Sequence, residues 1–224
     1  MPQNSVLINE ADFAEGDELN FASTWGRAYG VMAGYNFTDK ISIRTNILLS
    51  SQGQKYVGDL SQFQNIDSGS YAMNTVGQKF IAGNLSNDYT AEVKLNYIKL
   101  PFLLKINSDP DEAAFFSFEI GPQINILSSA THIIDDKTVS YSPFNFETKD
   151  LYNSSTFAVA FGLGADFSLT DNLKLNANLR FDYGLTDAEN KAFEVSGRKA
   201  WSEDRPATNP ATGGLMLGLT YVLD

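Results

Sequence analysis

The chain has 224 residues, 16 Lys and Arg against 27 Asp and Glu, and a formal charge of −11. That balance argues against nucleic acid as a partner, because phosphates call for clustered Lys and Arg. With no Cys and one His, disulfides, thiolate catalysis and Cys-based or multi-His metal sites are excluded, no cofactor is expected, and no apolar run approaches the ~18 residues of a membrane helix.

The order of the residues points to strands. Apolar and polar residues alternate, the two-residue period of a pleated strand, and no segment holds a helical period. A weak first strand is expected at Gln3–Asn9, with Val6, Leu7 and Ile8 as its apolar core. Strands near 25–37 and 40–52 alternate less cleanly, and one near 91–106 sets Ile98, Leu100, Phe102, Leu104 and Ile106 against Lys99, Pro101, Leu103 and Lys105. The strand near 114–128 is the clearest, with Phe116, Phe118, Ile120, Pro122, Ile124 and Ile126 interleaved with Ser117, Glu119, Gly121, Gln123 and Asn125. Strands near 153–168, 172–186 and 212–223 follow the same rule. All but the first reach about ten residues, longer than the usual five or six and enough for the roughly 9–11 of a tilted membrane strand.

Connections take turns in length. Those at 38–39, 107–113 and 169–171 are short, whereas 10–24, 53–90, 129–152 and 187–211 are long. In an antiparallel meander alternate connections lie at opposite ends, so the short turns share one end with both termini and the long loops share the other. The expected fold is all-β: a single domain over 1–224, an eight-stranded antiparallel up-and-down transmembrane barrel of the OmpA or OmpX size, with short periplasmic turns and long extracellular loops. A soluble lipocalin-like barrel also alternates, but it turns its apolar face inward.

The second face of the strands separates the two. It carries Arg44, Lys99, Lys105, Glu119, Asp166, Lys174, Arg180 and Asp182 among many small residues, which suits a narrow lumen filled by mixed sizes. Folding about the simplest turns places Arg44 opposite Gly34, Lys99 opposite Gly121 and Glu119 opposite Pro101. The same construction sets Arg180 opposite Ala160 and Asp182 opposite Ala158, with Asp166 and Lys174 as an ion pair. The apolar face then meets outer-membrane lipid, with Tyr29, Tyr35, Phe37, Phe102, Tyr183 and Tyr221 expected in aromatic girdles. Five basic and three acidic luminal groups make the interior a salt-bridged plug rather than a pore.

Four segments resemble one family. Tyr97-Ile98-Lys99-Leu100-Pro101-Phe102-Leu103-Leu104-Lys105, Gly121-Pro122-Gln123, Gly162-Leu163-Gly164-Ala165-Asp166 and Arg180-Phe181-Asp182-Tyr183-Gly184-Leu185-Thr186-Asp187 are similar, in this order, to strands of the PorT-like outer-membrane beta-barrel family of Bacteroidota. The end, Gly218-Leu219-Thr220-Tyr221-Val222-Leu223, is similar to a barrel-assembly signal. The resemblance implies an eight-stranded barrel in the outer membrane of a Gram-negative cell. Residues 1–10 depart from the family's Gly-rich first strand. No signal peptide is visible, and its removal is expected.

The remaining features suggest no catalysis. His132 stands without a recognisable nucleophile motif and reads as structural. Glu10, Asp12, Glu15, Asp17 and Glu18 lack the spacing of a calcium loop and read as a solvated acidic run. Tyr56, Phe63, Tyr71, Phe80 and Tyr89 in one long loop, with Tyr141, Phe144, Phe146 and Tyr152 in the next, form either a recognition surface or the packing of the loops over the barrel mouth. Loops of this length without a role are uncommon. The expected function is therefore a non-enzymatic barrel whose outer loops bind another envelope protein, as an accessory subunit of a secretion or uptake complex. A narrow small-solute porin is the alternative.

Overall fold

The computed structural model describes residues 1–14, 19–59, 88–108, 113–170, 172–195 and 197–223. Eight strands make the barrel: β1 (Pro2–Ile8), β2 (Leu19–Asn36), β3 (Ile41–Asp59), β4 (Asp88–Asn107), β5 (Ala114–Ile134), β6 (Ser155–Ser168), β7 (Leu173–Gly184) and β8 (Asn209–Tyr221). Each pairs antiparallel with its neighbours in sequence. β1 closes the ring, with Gln3 opposite Gly214 of β8 and Pro2 opposite Arg27 of β2. The Met1 ammonium donates to the Ala28 carbonyl at 2.9 Å, partway along β2 and not at the short-turn end. Toward the short turns from there, β2 and β8 flank a cavity of about 400 Å³ that reaches Arg44, Glu119 and Asp166.

Faces follow the alternation, and registers depend on the turns. Arg44 lies opposite Gly34, as the two-residue turn predicts. At the next short connection Lys99 lies opposite Asn125 and Lys105 opposite Glu119, four positions from the expected register. Between β6 and β7 the offset is two: Arg180 faces Gly162, Asp182 faces Ala160, and Asp166 faces Asn176 rather than Lys174. Here Leu169 and Leu173 pair through a backbone hydrogen bond of 2.8 Å, which sets the turn. Both offsets are even, so every side chain keeps its face.

The strands outrun the membrane. β5 has 21 residues and β4 has 20, or roughly 65–70 Å of chain at about 3.3 Å per residue. Parts of all four expected long loops are therefore strand: 19–24, 53–59 together with 88–90, 129–134 and 209–211. On β3, β4 and β5 the outward residues become mostly polar at one level. Leu49, Ile98 and Ile126 lie side by side on β3, β4 and β5; one step toward the long loops stand Ser51, Asn96 and Ser129. Beyond that row Lys94 and Lys55 are exposed and Glu92 and Thr90 partly so, while the inward face becomes apolar, with Val93, Leu95, Tyr97, Leu127 and Ile134 buried. The barrel turns inside out at this row. Below it, lipid meets Ile, Leu and Phe while the interior is polar. Above it, most outward residues are polar, with Trp25 and Val57 as exposed exceptions, while the interior gathers a hydrophobic core around the buried polar side chains of Gln52, Gln54 and His132.

This inversion explains why the apolar pattern misjudges the strand ends. The apolar parity of β4 changes from odd (Val93, Leu95, Tyr97) to even (Ile98, Leu100, Phe102) with no break in the strand. The aromatics expected in girdles, Tyr29, Tyr35, Phe37, Phe102, Tyr183 and Tyr221, are all exposed. Phe102 lies within the band, opposite Thr45.

Candidate functional site

The luminal groups form two tiers. In the tier nearer the short turns, Arg44 Nη1 donates to Glu119 Oε1 at 2.9 Å and Lys105 Nζ to Asp166 Oδ2 at 2.6 Å. Asn176 donates to the other Asp166 oxygen, on which Arg44 Nη2 also converges at 3.7 Å. In the upper tier Asp182 accepts from Lys99 Nζ at 2.8 Å and from Arg180 Nε at 2.8 Å. Arg180 Nη2 donates to Gln123 Oε1 at 2.7 Å, and Lys99 donates to Thr212 at 3.1 Å. These side chains come from six strands, so the network ties opposite walls together. Lys174 is not the partner of Asp166: its ammonium sits 5.1 Å from the centre of the Phe115 ring, because the two-position register offset moves it away. Buried charges in a low-dielectric wall are tolerable only when paired in this way.

Above the inversion row the interior is closed by loop residues. Leu151 and Trp201 enter the same buried cluster as Leu95, Tyr97, Leu127 and Ile134, and the Trp201 indole N–H donates to the Leu151 carbonyl at 2.7 Å. Tyr56, Tyr141 and Tyr152 belong to this cluster. Tyr56 is on β3 rather than a loop, and all three are buried beneath the loop surface, so their accessible area is too small for a recognition face. Phe146 is half-buried and stacks on Tyr141 with ring centres 4.7 Å apart. Phe63, Tyr71 and Phe80 lie outside the described residues, as do the side chains of Tyr89 and Phe144. His132 is fully buried between two phenols, with Nδ1 3.1 Å from Tyr141 and Nε2 2.5 Å from Tyr152. Burial lowers its pKa to about 3 and raises both phenols, so all three are neutral near pH 7.

At the outer mouth stands a cluster that sequence reasoning missed. The Arg205 guanidinium, itself buried, spans two carboxylates. Nη1 and Nη2 reach Asp12 at 2.8 and 3.0 Å, while Nε and Nη2 reach Glu189 at 2.7 and 2.8 Å. Asp12 sits on the short helix α1 (Glu10–Ala14), whose start is held by Asn9 Oδ1 accepting from the Ala11 N–H at 3.0 Å. Asp12 therefore belongs to a buried ion pair and not to a solvated run; Glu15, Asp17 and Glu18 lie outside the described residues. Burial opposes the charge on Arg205, and the two carboxylates outweigh it and hold the guanidinium's pKa well above its ordinary value. Burial also pushes the Glu189 carboxyl up against the pull of Arg205, which donates to both of its oxygens. Among the described residues no group of three His, Cys, Asp or Glu is placed to hold a metal. No sequence spacing links Asp12, Glu189 and Arg205, and only the closed barrel brings them together.

A polar-lined ring with a lipid-facing apolar band is the arrangement of an outer-membrane barrel, and residues 3–190 match the outer membrane protein beta-barrel domain family. The chain belongs to that family. Members of this kind reside in the outer membrane, and that is where this chain is placed. Among solved structures, OprG from Pseudomonas aeruginosa is similar at 12% identity and a TM-score of 0.44, over 98% of this chain and 91% of that one. Ail of Yersinia pestis is similar at 11% identity and a TM-score of 0.35, over 98% and 92%. No curated protein matches the chain.

Proposed function

We propose that the protein is a plugged, non-conducting outer-membrane barrel whose extra-membrane end binds another envelope protein, as an accessory subunit of a secretion or uptake complex. The observation that carries this reading is the stack of closures along the axis. Two ionic tiers cross the lumen, a hydrophobic core sits above them, and the Arg205 cluster lies across the mouth. A transport path would have to break all three. The extension of β2 to β5 past the membrane, with a core of its own, supports a rigid body held out for a partner. Resemblance to the PorT-like family favours the same reading.

Deletion tests it. Residues 60–87, replaced by a short Gly-Ser link between β3 and β4, are removed while the strands stay. Tagged wild type, cross-linked in native membranes, is expected to co-purify with an envelope protein that the deletion variant loses while still folding. Identical co-purification from both would overturn the role of that segment. A narrow small-solute path is the second reading, favoured by the 400 Å³ cavity beside Arg44, Asn46 and Asp166. Conductance separates the two.

A further inference from the structure

The row where the barrel inverts carries a shallow depression of about 380 Å³ on its outer wall, spanning β2 to β5. Two irregularities in pairing frame it. One extra residue lies on β2 between Ser23 and Arg27, and Ser128 is the extra residue on β5 opposite Asn96 and Tyr97. Such bulges bend a strand and re-aim its side chains; here both fall at the same height. Arg27, Ser51, Asn96, Ser128 and Ser129 supply the polar lining, with Tyr29 and Leu49 at the lower edge. No carboxylate lines it, and among the described residues no acidic side chain pairs with Arg27. The neighbouring polar groups are already organised: Asn96 Nδ2 donates to Ser129 Oγ at 2.9 Å, and Ser128 Oγ donates to the Asn96 carbonyl at 2.9 Å.

A cation at the hydrocarbon edge needs a counter-charge, and the leaflet that covers this wall supplies one. We propose that the depression holds the phosphate-bearing headgroup of an outer-leaflet lipid, with Arg27 on the phosphate and the acyl chains running down the band below Tyr29 and Leu49. The planar guanidinium fits phosphate oxygens two at a time. The Ser51 and Ser129 hydroxyls at the rim offer further donors. The occupant follows from continuity: the depression opens directly onto the lipid-facing band, at the height where headgroups begin. The inference rests on the outer-membrane placement and is independent of any protein partner.

The test uses the full chain in vesicles of mixed phosphatidylcholine and phosphatidylglycerol, extracted into mild detergent, with retained lipid counted by native mass spectrometry. Wild type is expected to retain phosphatidylglycerol over phosphatidylcholine. Arg27→Gln should lower that retention about tenfold, the effect of losing one charge-assisted contact, and Arg27→Lys should fall between. Lys94→Gln, which removes an exposed cation higher on the same wall, should match wild type. Equal retention by wild type and Arg27→Gln overturns the proposal. So does an equal loss in Lys94→Gln, which would mark diffuse surface charge. Displacement by inorganic phosphate, where chloride at equal ionic strength does nothing, would mark a free-anion site and overturn it too.

Discussion

Arg205 and His132 show how single side chains can hold the loop-side end together, by opposite electrostatic means. Arg205 keeps its charge because Asp12 and Glu189 surround it. Arg205→Ala leaves two buried carboxylates without a counter-ion, which costs about 3–5 kcal/mol. Urea unfolding of the reconstituted protein checks this, and a loss below about 1 kcal/mol would contradict it. Replacing all three charges together (Asp12→Asn, Glu189→Gln, Arg205→Met) should recover most of the loss, because an apolar or neutral set leaves no charge stranded. His132 instead stays neutral. Its pKa is lowered to about 3 by burial, while an unfolded His titrates near ~6.5. The unfolded chain therefore binds the extra proton between those values, so stability is full above about pH 6.5 and falls as the pH drops toward 3. NMR of the imidazole should show a neutral ring at pH 5. An imidazolium signal appearing near pH 6 would contradict the burial.

At the scale of the strand, the deciding feature is the row at which outward and inward faces exchange character. β4 crosses it between Asn96 and Ile98. Because the chain has no Cys, single cysteines report cleanly. In reconstituted protein, cysteines at 94 and 96 should react with a water-soluble maleimide and those at 98 and 100 should not. Reaction at all four, or at none, would remove the membrane boundary from that row. The lumen was largely legible in the sequence: parity alone placed Arg44, Lys99, Lys105, Glu119, Asp166, Arg180 and Asp182 inside, since a two-residue period assigns faces without knowing registers. Their pairing was not legible. It depends on turns whose pairing adds two or four positions, and Lys174 lost its expected partner for that reason. Strand length was half legible. The switch of apolar parity in β4 is present in the sequence, but an apolar strip that changes face looks like the end of a strand when only one face is followed. The Arg205 cluster had no local signal, because its members are 193 and 16 positions apart.

Taken whole, the barrel is a membrane ring carrying a water-facing extension with a hydrophobic core of its own. The formal charge of −11 does not describe the lumen, where Arg44, Lys99, Lys105 and Arg180 outnumber Glu119, Asp166 and Asp182. Loosening one layer should not open a path while the others remain. Lys99→Met and Arg180→Met together with Asp182→Leu remove the three charges of the upper tier without stranding one of them, and they should not raise conductance while the outer core stays packed; a clear rise would show that tier to be the barrier. The most direct test of the plugged barrel is the conductance of the purified wild-type protein in a planar bilayer. A plugged barrel gives a baseline indistinguishable from protein-free membrane under applied voltage. Stable, stepwise single-channel currents that scale with salt concentration would contradict it.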